Sequence, residues 1–149
     1  MTDLTLPGET RVAVAGDWHG NTIWIQEMIP ALHAAAPEVG TILHAGDFGI
    51  LPGPRGKGFL AAVDAQCEAS VIERVLVTPG NHDDWTRMNH RFVSQPGEAI
   101  RLSDRVWVLP RGFRFTLAGR TFLSFGVPPR STTPTGGLGG RGGQPKCRA

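Results

Sequence analysis

Three apolar, β-prone runs dominate the first half of the chain: Arg11-Val12-Ala13-Val14-Ala15-Gly16, Val39 to Ala45, and Arg74-Val75-Leu76-Val77-Thr78-Pro79. The stretches between them are long enough for a helix and too long for a hairpin turn. Neighbouring strands are therefore expected to lie parallel, joined by helical crossovers. An α/β fold built from βαβ units follows. Each run leads into a glycine followed by Asp or Asn, at Gly16-Asp17, Gly46-Asp47 and Gly80-Asn81. Ligands of parallel sheets collect at the carboxyl ends of the strands, so the chemistry of the chain is expected in these three loops.

Between the runs, Asn21 is the expected N-cap of a helix from Thr22 to about Ala36, with Trp24, Met28 and Leu32 at helical spacing. Pro30 should kink or divide it. Phe48 to Gly58 contains four Gly and two Pro and is expected to be a loop. A second amphipathic helix is expected from Phe59 to about Ser70, on the spacing of Leu60, Val63 and Cys67. Val106 to Leu109 reads as a further strand. Phe113 to Leu117 and Thr121 to Phe125, flanking Ala118-Gly119-Arg120, read as a hairpin. From Gly126 the pattern changes, because residues 126–149 hold seven Gly, four Pro, one Leu and no aromatic. So little apolar surface does not offset the entropy of ordering. A domain over residues 1–126 followed by a disordered tail over 127–149 is expected.

The 149 residues suit one domain. No stretch approaches a transmembrane span, and Met1-Thr2-Asp3-Leu4-Thr5 lacks the pattern of a signal peptide, so a cytoplasmic protein without membrane contact is expected. Cys67 and Cys147 are read as free thiols. Residues 1–104 hold all 13 acids and 7 of the 15 basic residues, a charge of −6; residues 105–149 hold 8 basic residues and no acid, a charge of +8. Such a split suits a tail that binds polyanions.

The strand-end boxes read Gly16-Asp17-Trp18-His19-Gly20, Gly46-Asp47 and Gly80-Asn81-His82-Asp83. Singly, each is an ordinary turn. Their joint occurrence at three successive strand ends resembles the calcineurin-like metallophosphoesterase superfamily, over residues 11–126 with the specific motifs confined to the first 83 or so. The resemblance implies a metallophosphoesterase-like βαβ sheet sandwich. It also implies a metal-dependent phosphoesterase that hydrolyses phosphate mono- or diesters through a dinuclear centre. By that likeness Asp47 bridges two divalent ions, Asp17 and His19 bind the first and Asn81 the second. His82 faces the substrate as hydrogen-bond or proton donor, and Asp83 orients its ring. Oxygen ligands mixed with imidazole suit Mn, Fe, Zn and Mg alike.

In that family a further histidine and then a Gly-His-x-His box come later in the chain, whereas no histidine follows His90 here. The sandwich is therefore expected to be incomplete at its C-terminus, truncated by a frameshift or early stop, with a weak second metal and an uncovered sheet edge that favours homo-oligomers. Three functions compete: a phosphoesterase acting on a phosphate-ester substrate, a catalytically impaired remnant that binds at most one metal, and a polyanion binder. Nucleic acid enters only as substrate or through the basic tail, where Gly139-Gly140-Arg141-Gly142-Gly143 offers one Arg and no aromatic to stack bases. Trp18 and Trp85 are expected to pack rather than stack on substrate. His44 is expected to be a structural histidine, and His33 and His90 to sit on helices. Gly53 to Gly58 is not a nucleotide P-loop, since Leu51 stands where its first Gly belongs and Gly58 where Ser or Thr belongs.

Overall fold

The computed structural model describes residues 1–127. Their elements in chain order are β1 (Thr2–Asp3), β2 (Ala13–Ala15), α1 (Thr22–Ala35), β3 (Thr41–Ala45), α2 (Gly53–Ala69), β4 (Arg74–Thr78), α3 (Trp85–Ser94), β5 (Ile100–Arg101), β6 (Val106–Val108), β7 (Arg114–Leu117) and β8 (Arg120–Leu123). Beyond Val127, the expected tail and Cys147 lie outside the described residues. Strands β2, β3, β4 and β6 run parallel in that order, and β5 pairs antiparallel with β6.

Side chains alternate across a strand, so this sheet feeds two cores. Ile42, Val75, Val77, Val106 and Val108 face the helices, meeting Ile25 and Ile29 of α1, Phe59, Val63 and Cys67 of α2, and Met88 of α3. Leu76, with the partly buried Leu43 and Trp107, faces the opposite way onto Phe115 and Leu117 of β7. Strand β7 is the centre of a second sheet, ordered β1-β7-β8. Helices, a five-stranded sheet and a three-stranded sheet thus form three layers, the α/β sandwich expected. At the β2 edge of the larger sheet no strand pairs among the described residues, and Val14 is 72% exposed.

Most elements fall within the expected runs. Asn21 caps α1, its side-chain oxygen accepting from the Trp24 amide at 3.1 Å, and Pro30 does not divide the helix. β7 and β8 pair Leu117 with Arg120 across Ala118-Gly119. Both turn residues have positive φ, 47° and 71°, as a hairpin turn matched to strand twist requires.

The loop expected from Phe48 to Gly58 is shorter than that, because α2 begins at Gly53. Proline is at home in a first helical turn, where its missing N–H is not needed, and Pro54 stands there. Gly56 serves close approach, since a Cβ there would lie 1.9 Å from the Leu51 carbonyl oxygen. The connection after β3 is thereby short and tightly packed. Among the described residues no helix is long and apolar enough to cross a membrane.

Candidate metal centre

The loops that follow β2, β3 and β4 are laced together by main-chain hydrogen bonds. The Asp17 amide donates to the Gly46 carbonyl at 3.1 Å, the His19 amide to the Asp47 carbonyl at 2.8 Å, and the Gly46 amide to the Thr78 carbonyl at 2.9 Å. This lacing gathers three candidate ligands. One ligand atom from each of Asp17, His19 and Asp47 lies within 4.8 Å of the other two. His19 Nε2 stands 3.7 Å from Asp17 Oδ1 and 3.9 Å from Asp47 Oδ2.

All three residues have left-handed backbone, with φ of 57° at Asp17, 48° at His19 and 54° at Asp47. Only two other non-glycine residues among those described, Val71 and Ala118, share it. Such conformations are uncommon outside glycine and concentrate at functional sites, where the surroundings enforce them. Here they accompany side chains that converge on one another just past the strand ends.

The donor set fits a divalent ion. Ligand atoms about 2.1 Å from a common centre are at most about 4.2 Å apart; both distances from His19 Nε2 fall inside that limit, and the full set, within 4.8 Å, is close to it. Two carboxylates supply negative charge, and among the described residues no Lys or Arg forms an ion pair with either. Asp17 is open to solvent at 79% side-chain exposure, while Asp47, at 14%, is held in place. The His82 amide donates to Asp47 Oδ1 at 3.0 Å, leaving Oδ2 toward His19. Gly80 makes this possible, because a Cβ there would lie 2.0 Å from Asp47 Oδ1.

The exposed His82 ring stands edge-on to His19 with centroids 5.4 Å apart. Asn81 lines a cleft of about 310 Å³ together with Asp17 and Asp47. Asp83 is placed differently from expectation. It is buried, and its oxygens accept from the amides of Phe48, Gly49, Ile50 and Gly80 rather than from the His82 ring.

A model of the calcineurin-like phosphoesterase family matches residues 10–137. The chain belongs to the calcineurin-like phosphoesterase family. Comparison with curated proteins and with solved structures yields no match. The family match begins just before β2 and runs past the expected domain boundary at residue 126.

The neighbours of the site in this phosphoesterase-family chain are apolar below and mixed above. Trp18 is 5% exposed and packs against His44 and Phe48; Trp85 donates its Nε1 proton to the Gly80 carbonyl at 2.7 Å. Both tryptophans therefore pack, as expected. His44 is buried, as a structural histidine would be, yet among the described residues neither of its ring nitrogens has a hydrogen-bond partner, and burial pulls its pKa down to about 4. His90 is exposed on α3, and Arg55 and Lys57 are exposed on the first turns of α2.

Two cleft residues escaped the sequence reading. Phe125 and Val127 line the same cleft as Asp17, Asp47 and Asn81. The chain after β8 returns to the end of β4, where the Val127 amide donates to the Pro79 carbonyl at 3.2 Å. Gly126 was the available signal: a fourth glycine after a β-prone run, lying so close to Pro79 that a Cβ would be 3.0 Å from its carbonyl oxygen.

Proposed function

We propose that this chain cleaves phosphate mono- or diesters at a centre of two divalent ions, the first held by Asp17, His19 and Asp47, the second by Asp47 and Asn81. The observation that carries the reading is the convergence of two carboxylates and an imidazole, each on strained backbone, at the carboxyl ends of adjacent parallel strands. Two such ions would supply a nucleophile at neutral pH and offset charge on the phosphoryl oxygens. Asp47 is suited to the shared position because one oxygen is anchored by the His82 amide while the other faces His19. His82, exposed beside His19, donates a hydrogen bond to the phosphate or a proton to the leaving oxygen.

A second reading, a single-ion protein of low activity, is favoured by one observation: among the described residues only one cluster of three ligands is assembled. Mn²⁺ titration of the purified chain, with turnover of an aryl phosphodiester measured with and without chelator, separates the two. The first reading expects two ions per chain, turnover abolished by chelator and by Asp47→Asn, and a loss of ~10²–10⁴-fold for His82→Ala with metal still bound. One ion without turnover supports the second reading. A chain that binds no metal refutes both.

A further inference from the structure

We infer that Asp83 is a positioning residue that sets metal affinity, its carboxylate clamping the loop that carries Asp47 to the loop that carries Asn81 and His82. The inference rests on the metal-site reading above. Asp83 is 4% exposed. Its Oδ1 accepts from the Gly49 amide at 2.9 Å and the Ile50 amide at 2.8 Å; its Oδ2 accepts from the Gly80 amide at 2.9 Å and the Phe48 amide at 3.3 Å. Phe48 is the neighbour of Asp47, and Gly80 is the neighbour of Asn81. One side chain thus ties the ends of β3 and β4 directly beside their candidate ligands.

The chemistry of the clamp calls for a carboxylate. Four N–H donors converge on it, and an ionised Asp offers two oxygens with about four lone-pair sites and no hydrogen. Asparagine offers one oxygen and turns an NH₂ group toward two of those donors. Around the clamp the loops also come closer than other residues permit. A Cβ on Gly49, whose φ is +110°, would lie 2.2 Å from the Gly20 nitrogen, directly after His19; one on Gly80 would lie 2.0 Å from Asp47 Oδ1. The loop held by Asp83 is therefore wedged against the His19 loop as well, and all three candidate ligand loops are packed against one another. Groups that hold ligands in place typically govern metal affinity by 10–100-fold.

The test is Mn²⁺ affinity by electron paramagnetic resonance for the full chain, Asp83→Asn and Leu117→Ala. Leu117→Ala is the control for simple destabilisation, since it opens a cavity between the two sheets, away from the loops. Asp83→Asn is expected to weaken Mn²⁺ binding by about 10–100-fold, and Leu117→Ala to leave it unchanged although its urea midpoint falls. Folded Asp83→Asn that binds Mn²⁺ like the wild type overturns the inference alone. A wild type that binds no Mn²⁺ overturns the metal reading and the inference with it. If Asp83→Asn does not fold, the wild type carries the test through amide hydrogen exchange with saturating Mg²⁺. By reciprocity, metal must then slow exchange at Gly49, Ile50 and Gly80 more than in the β7–β8 hairpin. Equal slowing overturns the inference.

Discussion

Acid should destabilise this protein more steeply than its carboxylates alone require, and His44 sets the size of the effect. The ring is 1% exposed on β3, edge-on to Trp18 at 4.6 Å and to Phe48 at 5.0 Å, with no partner for either nitrogen among the described residues. Burial lowers its pKa from 6.5 to about 4, opposed by the Asp47 carboxylate and aided by His19. In the unfolded chain the ring takes up a proton near 6.5. Between there and about 4 the unfolded state binds a proton that the folded state refuses, so this contribution to stability is complete above 6.5 and is lost as the pH falls toward 4. At 1.36 kcal/mol per pH unit the displacement corresponds to about 3 kcal/mol, a large part of the roughly 5–15 kcal/mol that holds a domain folded. His44→Leu removes the titration. Urea unfolding of both proteins, in chelator, from about pH 7.5 to about pH 4 is the assay. With m of about 1–3 kcal/mol/M, the wild-type midpoint should fall by about 1–3 M more than that of the variant over this interval. At the upper pH the variant should be no less stable, since it buries two fewer unpartnered nitrogens. Parallel pH curves for the two proteins would refute the reasoning.

Gly80→Ala should cost at least about 1–3 kcal/mol by crowding and should also displace the Asp47 carboxylate. A Cβ there meets Asp47 Oδ1 at 2.0 Å and the Asp47 nitrogen at 2.2 Å. Urea unfolding and Mn²⁺ titration check the two effects, and full metal binding by the variant would contradict the geometry. Cys67, fully buried with its thiol pushed up to about 12 chiefly by burial, should not react with a disulfide reagent in the native state. Its labelling rate should track global unfolding as urea is raised, and prompt labelling without urea would show that α2 is less well packed than described.

The parallel sheet was legible because its signal is local. Apolar runs of strand length, separated by helical spacing, leave few topologies, and Asn21 announces α1 through its own side chain. The hairpin of β7 and β8 was legible for the same reason, its turn residues lying between two alternating runs. Gly53 to Gly58 misled because glycine and proline read as breakers, whereas here Pro54 fits a first helical turn and Gly56 answers to the Leu51 carbonyl. That requirement comes from a contact, and no local pattern carries it.

The candidate site divides along the same line. By itself the sequence determined the residue types at the strand ends, the α/β class and the family, because these follow from short-range pattern and order along the chain. Only the tertiary structure decided how they are used. It gives Asp17, His19 and Asp47 left-handed backbone, anchors Asp47 on the His82 amide, takes Asp83 away from the His82 ring into the floor of the site, and brings Phe125 to the cleft. The physical reason is that each of these depends on close approach or hydrogen bonding between loops, as in the bonds from Asp83 to amides 33 to 35 positions away. Such contacts exist only once the strands have aligned.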